Sequence, residues 1–509
     1  MSISDKRTGS ILLIEGLDVS KPAEYISDSA SSNVQNFEVK ESLLSKRIGS
    51  SVVGAVIGGT EKEIMTARQF VREGVAYNVR FGLDKAEYYT GTTWSDISGT
   101  TWTAEVTDVH CTAVPLLSGK EILCITNGID PIHKWTATGN TSELGGTPPR
   151  AKYIQEYKTY LVCANITGGT DISQRVQWSD TADPETWTGG NSGSVDLIED
   201  GGEITGLNLY GNYVCVHKES SIYLGYLVSS SAIFQFDRRA TGVGTVANNS
   251  IVNLPTGEQI FLAKDGLRIF NGITAPLIEA PINDEIRSSL NSQYANRAYG
   301  VLVREKDEVW IGIPIGSQER GETIYKFNYN TRALYRDTRA NCSFIWRGSS
   351  TGGLSWDEID VYWDDYDYRW DDVSFITDSD QINFAYSTGY VTKQINTSLD
   401  DNGTTIDAIW DSKDYQDSQD RLARWKRMQL WASGGTVSCY YSIDEGATWT
   451  EMTGSPYTLS STMPSHESPI NLYFDTVSSK LRVRFRNQNS EPLKIKQFII
   501  EYSPREYRR

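Results

Sequence analysis

Histidine is scarce and cysteine is scattered. The 509 residues include four histidines, His110, His133, His217 and His466, and six cysteines, Cys111, Cys124, Cys163, Cys215, Cys342 and Cys439. No two of them stand at metal-ligand spacing, which argues against a zinc site. Each cysteine lies in an apolar stretch, as in Ile122-Leu123-Cys124-Ile125 and Val214-Cys215-Val216. A thiol there behaves as a small hydrophobe, so reduced core thiols are expected. Long apolar runs are missing as well. None approaches the roughly 20 residues of a membrane helix, and Met1-Ser2-Ile3-Ser4-Asp5-Lys6-Arg7 lacks the apolar core of a signal peptide. A soluble chain made in a cytosol, with no membrane-spanning segment, is expected. Positive charge is in deficit: 48 Lys and Arg against 65 Asp and Glu give a formal net charge of −17. A protein whose whole surface grips nucleic-acid phosphates is thereby excluded, although local basic strips are not. Helix signals are few; the clearest is Ile282 to Leu290, where Ile282, Ile286 and Leu290 recur every four residues behind Pro281.

What the chain does have is strand-forming residues: 28 Tyr, 14 Trp and 14 Phe, with short β-branched or aromatic runs bounded by Gly, Asn and Asp. Core-like strands stand at Val79-Arg80-Phe81, Leu123-Cys124-Ile125, Leu161-Val162-Cys163, Val214-Cys215-Val216, Phe261-Leu262-Ala263 and Val309-Trp310-Ile311. Most are followed by a turn and a second, aromatic-ended strand, such as Ile132-His133-Lys134-Trp135 or Leu267-Arg268-Ile269-Phe270. Asn127-Gly128 and Asp265-Gly266 are turn pairs that tolerate positive φ. A repeat of about 40–50 residues holding several short strands suits a propeller blade, which buries its faces only against its neighbours. The expected fold is all-β: a β-propeller of six or seven irregular blades with a C-terminal β-sandwich. A pair of ordinary sandwiches, whose strands also recur regularly, is the competing reading. Residues 1–50 are expected to be a strand passage joining the propeller, 51–398 the propeller body and 399–509 the C-terminal sandwich. The sandwich carries a basic strip at Arg482, Arg484 and Arg486 and at the tail, Arg505, Arg508 and Arg509. It is a solvated face or a docking surface for an acidic neighbour.

Motifs that carry chemistry are weak. Ser442-Ile443-Asp444-Glu445-Gly446-Ala447-Thr448-Trp449 matches the Asp-box, a hairpin turn in which Asp caps turn amides, Gly permits positive φ and Trp packs beneath. It is expected to be scaffold, as is the related turn from Trp178 to Trp187. The segment from Asp357 to Asp372, with Trp356, Trp363 and Trp370 seven apart, is rich in carboxylates but lacks the Gly and terminal Glu of a helical calcium loop. Gly242-Val243-Gly244-Thr245-Val246-Ala247 lacks the third glycine of a phosphate-cradling loop. No G-x-S-x-G elbow and no Cys–His pairing is visible. No catalytic, cofactor-binding or metal-binding residue is assigned, and a non-enzyme without cofactors is expected.

Several segments together resemble the tail nozzle, or packaged-DNA stabilisation, proteins of short-tailed bacteriophages. Gly16-Leu17-Asp18-Val19, Ser32 to Val39 and Leu44-Ser45-Lys46-Arg47-Ile48-Gly49 look like that family's opening passage with its Lys-Arg-x-Gly turn. Trp178-Ser179-Asp180, Asp183 to Trp187, Gly201 to Leu207, Val216 to Tyr223 and Thr241 to Gly266 look like its central blades. The likeness covers roughly residues 15–330. It implies a structural virion protein: a subunit of a ring, commonly a hexamer, below the portal and adaptor, meeting tail-fibre or tail-spike proteins and assembled in the host cytoplasm. Double-stranded DNA would pass through the channel without sequence-specific binding, since an acidic wall repels phosphates and lets a genome slide. Two rivals stand beside it. One is a phage receptor-binding or decoration protein that holds sugar. The other is a propeller glycosidase, which requires an arginine cluster with Tyr and a carboxylate, with Arg175, Arg238 and Arg268 as the arginines to place.

Overall fold

Strands that are apolar on both faces need cover on both sides, and a ring of sheets supplies it. In the computed structural model, which describes residues 6–40, 42–99, 102–103, 110–168, 172–228, 233–278, 282–348, 381–417 and 421–505, each core-like run from Val79 to Val309 is the second strand of its own antiparallel sheet. Blade 1 is Ile64–Arg72, Val75–Gly82, Ala86–Tyr89 and Trp94–Asp96. Blade 2 is Cys111–Ala113, Leu123–Thr126, His133–Trp135 and Ser142–Glu143. Blade 3 is Arg150–Tyr157, Tyr160–Thr167, Ile172–Trp178 and Gly193–Asp196. Blade 4 is Ile204–Tyr210, Tyr213–Lys218, Ser221–Leu227 and Phe234–Thr241. Blade 5 has three strands, Val252–Asn253, Gln259–Ala263 and Gly266–Phe270, with a bridge from Arg268 to Leu277 in place of a fourth. Blade 6 is Tyr299–Val303, Glu308–Ile313, Thr323–Asn328 and Leu334–Thr338. Blade 7 is Cys342–Arg347, Ile382–Tyr386 and Val391–Gln394, completed by Ser50–Val52 from the other end of the chain.

Among the described residues this makes a β-propeller of seven blades, the upper of the two counts expected. The ring closes between its ends: Ser343 Oγ of blade 7 donates to Ile64 O of blade 1 at 2.7 Å. Val53, Ile64, Ala67, Trp346 and Ala385 form the apolar cluster at that junction. The other junctions repeat the device. Phe70, Phe81, Leu123 and Trp135 join blades 1 and 2, Cys124, Ile154 and Leu161 join 2 and 3, and Val162, Trp178, Leu207 and Val216 join 3 and 4. Each fully buried Val, Leu, Ile or Phe contributes about 1.5–3 kcal/mol relative to exposure, so the ring is held by apolar area between sheets. The predicted helix is present as Asn283–Ser289. It seats against blade 5, where Asn283 Oδ1 accepts from Leu267 N at 2.9 Å. Gly266 has φ +131°, and a Cβ there would meet Asn283 Oδ1 at 2.4 Å, so Gly is required on both counts.

The C-terminal region forms two packed antiparallel sheets, as expected of a sandwich. One has Ile470–Ser478, Ala423–Gly434 and Leu493–Pro504; the other has Thr450–Glu451, Thr436–Ser442, Arg482–Asn487 and Ala408–Asp411. Residues 1–50, expected as a passage joining the propeller, divide between both bodies. Lys6–Arg7, Ile11–Leu12 and the hairpin Phe37–Lys40 with Leu43–Lys46 extend the first sandwich sheet, and Asn33–Gln35 extends the second. Gly16–Leu17 pairs in parallel with the last strand of blade 6, and Ala30–Ser31 pairs in parallel with Gly16–Leu17. The physical reason is edge satisfaction: sandwich and blade each offer an unpaired edge, and one extended segment covers both. In consequence the two bodies share one core, in which Leu13, Val34 and Phe37 lie among Trp410, Phe485 and Phe498 of the sandwich and Val309, Tyr325 and Leu334 of blade 6.

Candidate functional site: the seam between propeller and sandwich

The N-terminal segment leaves the sandwich at Lys46 and enters blade 7 at Ser50, so Arg47 is carried through the seam. Gly49 is needed for this crossing, because a Cβ there would stand 1.9 Å from Asp400 O. The Arg47 side chain is 1% exposed. Its Nε donates to Asn36 Oδ1 at 2.9 Å, and its two terminal nitrogens reach Asp401 Oδ1 and Oδ2 at 3.1 and 2.6 Å. Arg339 reaches the same carboxylate at 2.7 Å and Ser50 Oγ at 3.1 Å, with its guanidinium 3.8 Å over the Phe384 ring. Burial alone would raise the Asp401 carboxyl, but Arg339 and Arg47 outweigh it and hold the group well below the ordinary carboxylate range.

Behind this pair the network continues inward. Lys326 binds Asp337 at 2.5 Å and Glu38 at 3.4 Å, and Lys306 binds Glu38 at 2.9 Å. Burial raises the Glu38 carboxyl, and the two lysines reverse that and bring it down to about 2. Buried ion pairs of this kind add little net stability over apolar packing, but removing one partner leaves a stranded charge. The Arg47–Asp401 pair is bidentate, and Glu38 ties its sandwich strand to both lysines of blade 6, so directional contacts help to set the angle between the two bodies.

Above Arg339 and Asp401 opens a cavity of about 410 Å³. Its walls are the turn between blades 6 and 7 from Thr338 to Asn341, the outer hairpin of blade 7 around Tyr386 and Tyr390, the loop from Asp401 to Asp407, and Gln35, Asn36 and Arg47. The charges in it are already engaged: Arg47 and Arg339 on Asp401, and Asp407 on Arg486 at 2.6 Å. The axis of the propeller is different. Glu63, His110, Asn249, Arg297 and Ser343, at or just before the first strands of five blades, surround a space of only about 20 Å³, close to one water. Glu63, 3% exposed, is clamped there by Arg297 and by Arg320 at 2.9 and 3.0 Å.

The residues singled out in the sequence meet different fates. In the Asp-box turn, Asp444 accepts from Ser442 Oγ at 2.7 Å and from Thr448 N at 2.9 Å, and Glu445 and Gly446 take positive φ. Its carboxyl is held down, to about 2, by those hydroxyl and amide donors, so the group is consumed by the turn. The basic strip is a ladder: Arg482 on Asp414, Arg484 on Asp411 and Arg486 on Asp407, each pair with two hydrogen bonds of 2.6–2.9 Å. These arginines are therefore matched within their own sheet rather than offered to a neighbour. Arg175, Arg238 and Arg268 lie on third or fourth strands of blades 3, 4 and 5, away from the axis, and Arg175 and Arg268 are held by Asp196 and Asp265. The segment with Trp356, Trp363, Trp370 and Asp357–Asp372, and Arg508 and Arg509, lies outside the described residues.

One pairing escaped the sequence reading. Cys215 and His217 are two apart on a strand and hence on one face, the signal that would have found them. Cys215 Sγ stands 3.4 Å from His217 Nε2, which lies 2.8 Å from Gln259 Oε1. Burial pushes the thiol up and the imidazole down to about 4, so the pair is neutral at pH 7 and walled off from any substrate.

No protein-family model and no curated protein matches the sequence. Among solved structures the chain is similar to BBS1N in its complex with ARL6DN, at 9% identity and TM-score 0.40, over 68% of this chain and 98% of that one. It is similar to YCF48 from Cyanidioschyzon merolae, at 10% identity and TM-score 0.38, over 68% and 99%. It is also similar to BamB from Moraxella catarrhalis, at 9% identity and TM-score 0.33, over 65% and 100%. The propeller assignment itself rests on the strand pairing and ring closure described above.

Proposed function

We propose that this chain is a structural virion protein of a tailed bacteriophage, one subunit of a ring-shaped tail nozzle, commonly a hexamer, seated below the portal and adaptor. The observation that carries the reading is the way one N-terminal segment is sewn into both bodies, which makes propeller and sandwich a single stiff block with a fixed angle. A ring that retains and then releases a genome needs such blocks. The centre of the propeller is crowded, with Asn249 Nδ2 beside blade 5 donating to His110 O beside blade 2 at 3.4 Å, so the channel of such a ring is placed between copies. The net charge of −17 suits a wall on which phosphates slide. Tail-fibre or tail-spike proteins would meet the outer rim.

Electron microscopy of the purified full-length chain, alone and mixed with the adaptor, tests this. Closed rings with a central opening wide enough for duplex DNA are expected. Monomers under both conditions would overturn the reading.

A further inference from the structure

We propose that the seam cavity is a binding site for a neutral, hydroxyl-rich ligand, a pyranose sugar unit. This does not rest on the nozzle reading, since the argument uses only the cavity. Its volume of about 410 Å³ falls within the range of about 300–1,000 Å³ typical of small-molecule sites. The floor carries charge, and each charged group there has a partner, although Arg339 bonds Asp401 and Ser50 through one terminal nitrogen and leaves its Nε without a hydrogen bond. Arg47 spends its donors on Asn36, Ile48, Thr338 and Asp401, while Asp401 accepts from Arg47, Arg339 and Ser50. Asp407 is held by both arms of Arg486. A cationic ligand would have to displace Arg47, Arg339 or Arg486 from these carboxylates, and an anion would meet Asp401 and Asp407 beside the arginines.

Most of what remains free is uncharged. The side chains of Asn341, Thr388, Asn402, Thr404 and Thr405 line the cavity and make no hydrogen bond among the described residues. They supply amide and hydroxyl groups that both donate and accept, which is the pattern a ring of sugar hydroxyls presents. Tyr390, 38% exposed, stands on the wall with an unbonded hydroxyl, and Val52 and Ile406 add apolar surface. A pyranose has the matching duality, an apolar C–H face for the ring and polar edges for the amides.

Ligand-observed NMR and calorimetric titration of the full-length chain with glucose, maltose, glucuronate and inorganic phosphate decide the matter. Glucose or maltose is expected to bind in the millimolar range. Thr405→Trp, which fills the cavity from an exposed hairpin, should weaken binding by about tenfold or more, and Tyr390→Ala should weaken it several-fold. Glucuronate should bind no tighter than glucose, and phosphate not at all. The proposal is overturned if neither sugar binds, if binding is unchanged in both variants, or if glucuronate or phosphate is preferred.

Discussion

The junctions between blades and the seam between propeller and sandwich solve the same problem, holding two β-surfaces together by apolar area, and the seam adds a buried charge network to its core. Blade 3 meets blade 2 through Ile154, Leu161 and Cys163 against Cys124 and Ile132, with apolar area that has no preferred direction. To its apolar core the seam adds Arg47, Arg339, Lys326 and Lys306 set against Asp401, Asp337 and Glu38. In a repeat, a small slide at one junction is spread over the neighbouring blades. A joint that occurs once has no such averaging, and directional pairs set its angle.

Substitutions that treat the two kinds of joint alike should expose the difference. Asp401→Ala strands two buried guanidiniums and is expected to cost about 3–5 kcal/mol in urea unfolding. Replacing Asp401, Arg47 and Arg339 together by apolar residues of similar volume should recover much of that loss. Leu161→Ala at a blade junction should cost about 2–5 kcal/mol by cavity formation, with no partner whose removal restores it. A triple apolar variant no more stable than Asp401→Ala would remove the charged-joint account.

Acid should separate the regions in sequence. His110 and His217 are kept neutral by burial, with pKa values down to about 4 from 6.5, and both belong to the propeller. The unfolded chain binds protons at these sites first, so their contribution to stability is complete above pH 6.5 and is lost as pH falls toward 4. At the seam, Glu38, brought down to about 2 from 4.5, contributes fully above its unfolded value and is lost between about pH 4.5 and 2. Unfolding monitored against pH should therefore weaken in the upper window in the wild type and less so in His217→Gln. The smallest effect is expected at the rim: Arg175→Ala opens an exposed pair with Asp196 and should change stability by at most about 1 kcal/mol.

The propeller was legible where strands are buried on both faces. Val79, Leu123, Leu161, Val214, Phe261 and Val309 all fall on second strands, where burial on both faces favours mostly apolar runs. First strands such as Cys111–Ala113 and outer strands such as Ser142–Glu143 are too short or too polar to stand out. The seam was not legible. Arg47 and Asp401 are 354 positions apart, and nothing local marks Ser50–Val52 as the last strand of a blade whose other strands begin at Cys342. The three arginines of the sandwich strip looked like a surface because their aspartates sit on or beside Ala408–Asp411, a strand far away in sequence.

The most direct test of the two bodies as one block is native-state hydrogen exchange read by strand. Leu43–Lys46 in the sandwich sheet, Ser50–Val52 in blade 7 and Tyr160–Thr167 in blade 3 should be protected to the same free energy and lose protection together as urea rises. If the two N-terminal strands exchange while blade 3 stays protected, the segment is an appendage and the account fails.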